Sequence, residues 1–170
     1  FSTENWRRPR KEISFLFKLI EEYFNKEIKN LKRNGVKIDI LGNLKPLPNK
    51  IKKCLNNSMK ITKNCKNIRV NLAINYGSKY EILNVFKILK RKKIKPSYKN
   101  IEKNLYTSGM PDPQILIRTG GVNRLSNFLL WQISYTEIYF VKKLWPDFNV
   151  KDYNKIIKDF KSVKRNFGKI

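Results

Sequence analysis

The 170-residue sequence has no histidine. That removes Ser-His-Asp and Cys-His catalysis from this chain, and with it the commonest metal ligand. Cysteine is nearly as scarce. Cys54 and Cys65 stand eleven positions apart in a lysine-rich helical stretch, with no CxxC pair. That spacing does not suit zinc, and reduced thiols of a cytosol-like compartment are expected. Acidic residues are few, 13 against 38 lysines and arginines. No apolar run approaches the roughly 20 residues that span a bilayer. The opening FSTENWRRPRK lacks the charge pattern of a signal peptide. It also opens on Phe rather than Met, which suits a fragment or a processed form.

What remains is a basic chain with enough apolar residues, 41 %, for a core and a length that suits one domain over residues 1–170. Its formal charge is +25. Two readings of that charge stand side by side. Lys, Asn and Ile are enriched together throughout, as AT-rich codon usage produces, and the basic residues scatter rather than cluster. The functional reading is attraction to diphosphates, an anionic membrane face or nucleic acid.

Strand and helix patterns alternate along the chain. Pro9 starts a helix whose apolar residues, Ile13, Leu16, Phe17, Ile20, Tyr23, Phe24, Ile28 and Leu31, recur at helical spacing until Asn34 and Gly35. Residues 36–42 read as a strand, residues 47–65 as a polar helix, and residues 68–77 as a second strand. Ser78 and Glu81 form a capping-box pattern before the next helix. A short helix is expected near residues 98–105 and a third strand within QILIRTGG. Ser126 is placed to cap a short helix through FLLWQ. Residues 136–141 read as a fourth strand, and Asn149 with Asp152 caps a last helix. This alternation predicts an α/β fold with a largely parallel sheet flanked by helices.

In such sheets ligands bind beyond the carboxyl ends of the strands. NYGS and IRTGG occupy those places, and taken singly each is an ordinary connecting turn. Arg118 and Arg124 flank Gly120 and Gly121, with Ser126 two residues on. Guanidinium forks match phosphate oxygens, and a serine at a helix N-terminus adds a hydroxyl and the positive dipole end. The set reads as a diphosphate cradle or, more plainly, as surface salt bridges and a cap. Glu137 alternates with apolar residues in a strand, as an exposed edge position or a metal-linked carboxylate. At the start, Ser2, Asn5, Trp6 and Arg8 precede Pro9. Asn5 suits positioning of a proton or water, Arg8 suits phosphate, and Trp6 offers a flat apolar face. A frayed terminus is the plainer alternative.

FSTENWRRP, NYGSKYEI, PDPQILIRTGGVNRLSNFLLWQ and YTEIYFVKKLWPDF together resemble, in order, the motifs of the undecaprenyl diphosphate synthase family of cis-prenyltransferases. The resemblance implies a hydrophobic tunnel, magnesium, and a homodimer or a dimer with a related subunit. It matches Ser2, Asn5, Trp6 and Arg8 to a mobile segment over the active site, with Arg8 at the allylic diphosphate and Asn5 linked to proton removal. It matches Arg118, Arg124 and Ser126 to the isopentenyl diphosphate site, and Glu137 to magnesium or to active-site organisation. The family's Asp-Gly-Asn-x-x-Arg loop, expected upstream of FSTENW, is missing, so the stretch alone is expected to be inactive or crippled. Val122, Asn123 and Lys79 depart from common family residues. RNFG resembles an Arg-x-Gly element that reaches the partner's site, but the aligned arginine falls on Asn166, with Arg165 one position early.

The reaction implied joins isopentenyl diphosphate to an allylic diphosphate such as farnesyl diphosphate, giving a Z-polyprenyl diphosphate. A cytoplasmic location is expected, with peripheral membrane contact as an option. A noncatalytic partner subunit and a basic nucleic-acid module are the alternatives. The second lacks an RNP1 string, zinc spacing and an aromatic platform, and no specific nucleic acid is expected.

Overall fold

The structure, a computed structural model, describes residues 1–165. Helix α1 (Arg10–Arg33) begins behind Pro9, whose missing N–H costs a helix start nothing. It ends at Asn34, whose N–H donates to the Asn30 carbonyl. Ile13, Phe17 and Phe24 of the expected stripe are buried, whereas Tyr23 is exposed along with Phe15 and Leu19. Strand β1 (Val36–Leu41) pairs in parallel with β2 (Ile68–Ala73), from Val36 beside Ile68 to Leu41 beside Ala73. Helix α2 (Asn49–Thr62) connects them. Thr62 closes this layer: its hydroxyl donates to the Ser58 carbonyl and accepts from the Ile38 N–H at 3.1 Å. The buried cluster joins Ile13, Phe17 and Phe24 to Ile38, Leu47, Ile51, Leu55 and Ile74. Leu55 is fully buried, and truncating such a residue to alanine costs about 2–5 kcal/mol.

The second strand is shorter than the sequence pattern suggests. It stops at Ala73, and Asn75 adopts a left-handed backbone at φ 50°. Helix α3 (Ser78–Arg91) follows with Gly77 at its cap position, so the expected capping box is not the start signal. Glu81 instead turns inward, accepting from the Tyr76 hydroxyl and the Tyr106 N–H, both at 2.6 Å. The short helix α4 (Tyr98–Glu102) is capped by Ser97, which accepts from the Asn100 N–H.

The chain divides into two compact units, Phe1–Ser108 and a second from Gly109 onward. The second unit holds β3 (Ile115–Arg118) and β4 (Glu137–Phe140), again parallel, with Ile115 beside Glu137 and Arg118 beside Phe140. Helix α5 (Val150–Ser162) starts at Asn149, whose side-chain oxygen accepts from the Lys151 and Asp152 N–H groups, as the sequence suggested. Lys143 bonds both oxygens of Asp152 and holds that carboxyl below its usual range, helped by the Asn149 N–H.

No helix forms through FLLWQ. Residues 126–135 are turns and bends. Ser126, Asn127 and Leu129 all have φ between 47° and 62°. A helix cap takes an extended backbone and its successors the right-handed region, so three left-handed residues exclude the helix expected there. Among the described residues no helix is long and apolar enough to cross a membrane.

Candidate active site

The sequence-predicted residues fall into two groups, one in each unit. In the first unit Thr3–Arg7 forms a short 3-10 helix rather than a frayed end. Its entry pairs with the chain beyond β2. Thr3 N–H donates to the Tyr76 carbonyl at 3.0 Å, and Ser2 and Tyr76 form a parallel bridge. Asn5 accepts from the Ser2 N–H at 2.6 Å through its side-chain oxygen. Its amide nitrogen keeps two donors for other groups. An amide is not a base, so Asn5 can orient a proton acceptor or water but not take the proton itself.

Trp6 packs edge-on against Phe1 and Phe17, with ring centroids 5.3 and 5.9 Å away for Phe1–Trp6 and Trp6–Phe17. Its indole N–H donates to Asn75 Oδ1 at 2.8 Å. Arg8 is exposed and pairs with Glu12 at 3.3 Å. An exposed i,i+4 pair is worth only about 0.3–0.5 kcal/mol, so a phosphate can draw Arg8 away at little cost.

In the second unit the Gly-Gly turn stands at the carboxyl end of β3. Gly120 and Gly121 have φ of 95° and 71°. Their N–H groups donate to the carbonyls of Lys143 and Val141. These two N–H groups therefore shape the turn and are not open to a phosphate. Arg118 Nη1 lies 3.3 Å from Ser126 Oγ and donates to it. Arg124 is exposed on the same loop. The Arg118 guanidinium and the Ser126 hydroxyl thus meet without the helix N-terminus that the sequence suggested.

Glu137 is not brought to this group. It opens β4 beside Ile115, whereas Arg118 lies beside Phe140. Three positions along a strand is roughly 10 Å. Its carboxylate is 3.7 Å from Arg165. Arg165 also donates to the Tyr135 carbonyl and lies over the Phe160 ring, so it is engaged within its own chain. The rest of the RNFG element lies outside the described residues. Among those described, no three His, Cys, Asp or Glu side chains gather to hold a metal. Glu137 offers one carboxylate. That suits magnesium only when diphosphate oxygens complete the shell, the usual arrangement for this ion.

Sequence reasoning missed two residues. Glu81 was read as a cap but is a buried carboxylate tied to two tyrosines. Asn75 sat inside NYGS, read as a turn, yet it holds Trp6. A polar residue that tolerates the left-handed region, just past a strand end, was the available signal.

Parallel strand pairs flanked by helices, with Arg118 and Ser126 in contact beyond a strand's carboxyl end, are the frame of an α/β enzyme. The family model of undecaprenyl diphosphate synthases matches residues 1–168. An isoprenyl transferase of Rickettsia typhi is 45 % identical over 170 residues, covering 99 % of this chain and 75 % of the relative. Its counterpart in Rickettsia sibirica is 46 % identical with the same coverage. A crystal structure of a probable undecaprenyl diphosphate synthase from Campylobacter jejuni superposes with a TM-score of 0.90 at 38 % identity, covering 99 % of this chain and 80 % of that one. Lavandulyl diphosphate synthase from Lavandula x intermedia, in complex with dimethylallyl diphosphate, gives a TM-score of 0.92 at 27 % identity, covering 99 % and 76 %. The chain belongs to the undecaprenyl diphosphate synthase family, and its fold and activity class are those of a prenyltransferase.

Proposed function

We propose that the enzyme condenses isopentenyl diphosphate with an allylic diphosphate, farnesyl diphosphate first among candidates, to give a Z-polyprenyl diphosphate. The two units act as one catalytic domain in this reading. The observation that carries it is the Arg118–Ser126 contact beyond the end of β3, with Arg124 on the same loop. Isopentenyl diphosphate is held there through its phosphate oxygens. Residues 2–8 cover the allylic diphosphate, with Arg8 released from Glu12 to bind it. The carbon–oxygen bond to the allylic diphosphate breaks as the double bond of isopentenyl diphosphate attacks the allylic carbon. A C2 proton is lost, and the new double bond is Z. Asn5 orients the group that accepts that proton. Orientation of two reactants and charge stabilisation of the leaving diphosphate are the main catalytic effects.

Magnesium, when bound, offsets charge on the diphosphates. Glu137 is the carboxylate of this chain proposed to meet it. The starter is the open specificity, because the plant relative of this fold holds a five-carbon allylic diphosphate. A hydrophobic tunnel for the growing chain is proposed from the family resemblance; the groove of about 550 Å³ beside α1 is mixed, with Phe17, Pro48 and Ile51 among Lys18, Glu21, Glu22 and Lys50. The assembly is proposed to be a dimer. Large apolar side chains exposed on the second unit, among them Tyr135, Leu144 and Trp145, are suited to a subunit interface.

The test is incorporation of labelled isopentenyl diphosphate by the complete enzyme, with dimethylallyl, geranyl and farnesyl diphosphate as starters, each with and without chelator. Chelator-sensitive formation of Z-polyprenyl diphosphate is expected, fastest with farnesyl diphosphate. A well-folded enzyme that turns over none of them would instead be a noncatalytic partner subunit.

A further inference from the structure

Asn75 is 3 % exposed, and its backbone is left-handed at φ 50°. Few residues besides glycine accept that region, and asparagine is one. Its side chain uses both ends. The amide nitrogen donates to the Asn43 carbonyl at 2.6 Å, and the oxygen accepts the Trp6 indole N–H at 2.8 Å. The backbone adds a third tie, because Asn43 N–H donates to the Asn75 carbonyl. Asn43 in turn donates to the Tyr80 hydroxyl at 2.8 Å. The loop behind β1 lies close against the backbone just before Asn75. A Cβ on Gly42 would stand 2.1 Å from the Ile74 carbonyl oxygen. Asn75 is therefore tied to that loop through both its side chain and its backbone, and Trp6, 39 % exposed, is its outer partner. Both line one largely apolar cavity of about 400 Å³.

We propose that Asn75 is a positioning residue: its side-chain oxygen fixes the Trp6 indole and so sets the resting place of residues 2–8 over the allylic substrate. This rests on the assignment of that segment given above. Asparagine suits the place because it combines left-handed backbone tolerance with an acceptor for the indole and a donor for the loop. Glycine would satisfy the backbone alone, which separates the two roles.

The experiment uses Asn75→Gly, Asn75→Asp and Trp6→Phe in the complete enzyme. The protein has three tryptophans, so fluorescence is read in a background carrying Trp131→Phe and Trp145→Phe. Asn75→Gly is expected to red-shift Trp6 emission and to raise its quenching by acrylamide. It should raise KM for the allylic diphosphate about tenfold, the value of one hydrogen bond, with KM for isopentenyl diphosphate nearly unchanged. Asn75→Asp keeps the acceptor for the indole but loses the donor to the Asn43 carbonyl, so it should restore quenching and KM only in part. In the Trp6→Phe background, Asn75→Gly should add no further change. Unaltered quenching in Asn75→Gly, or undiminished effects of Asn75→Gly in the Trp6→Phe background, would each overturn the proposal. If Trp6→Phe leaves all kinetic constants unchanged, the assignment of residues 2–8 to the allylic site fails instead, while the quenching data still decide whether Asn75 holds Trp6.

Discussion

The two units carry their candidate residues in opposite ways. In the first, the segment around Asn5 and Trp6 is closed down by hydrogen bonds and ring contacts onto a substantial core. In the second, Ile133 and Ile156 are the only buried hydrophobic residues among those described, and Arg124 and Ser126 are exposed on an irregular loop. The first unit thus packs the segment around Asn5 and Trp6, the proposed substrate cover, onto its core. The second leaves its phosphate-matching groups open to a ligand and much apolar surface open to a partner. Substitutions in the first unit should register in stability, and those in the second in substrate use or assembly.

Two glycines put that contrast at its sharpest. Gly42 lies at φ 131° with backbone oxygen where a Cβ would stand, whereas a Cβ on Gly120 meets nothing within 4 Å. Gly42→Ala combines strain with a backbone clash and should cost on the order of 3–5 kcal/mol. Gly120→Ala carries only the left-handed penalty, about 1–2 kcal/mol. Urea denaturation of both variants checks the ranking. Equal losses would show that the second unit is held as tightly as the first.

Arg118 tests the other half. Arg118→Ala should reduce kcat/KM for isopentenyl diphosphate by about one to two decades, the value of a charged hydrogen bond of roughly 1.5–3 kcal/mol. Its unfolding midpoint should stay close to the parent's. Arg124→Ala should behave alike, since both guanidinium groups face the same ligand in the proposed reading. Steady-state kinetics with circular dichroism separates the two effects. Unchanged constants for isopentenyl diphosphate would remove the cradle from the mechanism.

The sequence made the regular parts of this contrast legible. Helical spacing from Ile13 to Leu31 and the stop at Asn34 gave α1, and Asn149 with Asp152 gave the start of α5, because those signals are local. The proposed diphosphate cradle stands in the sequence as a composition of arginines, glycines and a serine. Its conformation was not legible there. Ser126 and Leu129 carry no sequence mark of a left-handed backbone, and Leu rarely adopts one. Glu81 was misread because its partners, Tyr76 and Tyr106, come from outside the helix it opens. The pattern Ser-x-x-Glu records helix-start chemistry and says nothing about a buried hydroxyl nearby.

Assembly gives the next, smaller effect. Leu144, Trp145 and Val150 are 61 %, 75 % and 72 % exposed. Leu144 and Trp145 are neighbours in the chain with Val150 five residues past Trp145, and exposed apolar groups that adjoin one another mark interaction sites. In the proposed dimer, Leu144→Lys with Val150→Lys should weaken association by about tenfold or more, at roughly 1.5 kcal/mol or more for desolvating charge at an apolar contact. Light scattering across a concentration series reads this directly. A parent that is monomeric throughout would instead assign the patch to some other partner.

The smallest effect concerns Tyr106, whose environment is the buried counterpart of Tyr139 in the second unit. Burial, then Tyr80 and Glu81, push the Tyr106 phenol up to about 12. Tyr139 is also raised, by local desolvation followed by Glu137 and Asp159. A tyrosine is neutral when protonated, so a raised folded value means that the unfolded chain releases its proton first. Stability from Tyr106 is therefore complete below about pH 10, the unfolded value, and is lost as pH rises towards about 12. Because the ring is only partly buried, solvent screening limits the loss to about 1 kcal/mol. Tyr106→Phe should flatten the alkaline fall in denaturation midpoint between about pH 10 and 12, whereas Tyr139→Phe should leave most of it. Absorbance titration at alkaline pH should show Tyr106 among the last phenols to ionise. A slope unchanged in Tyr106→Phe would mean that neither burial nor the charges of Tyr80 and Glu81 hold the proton on this phenol in the folded protein.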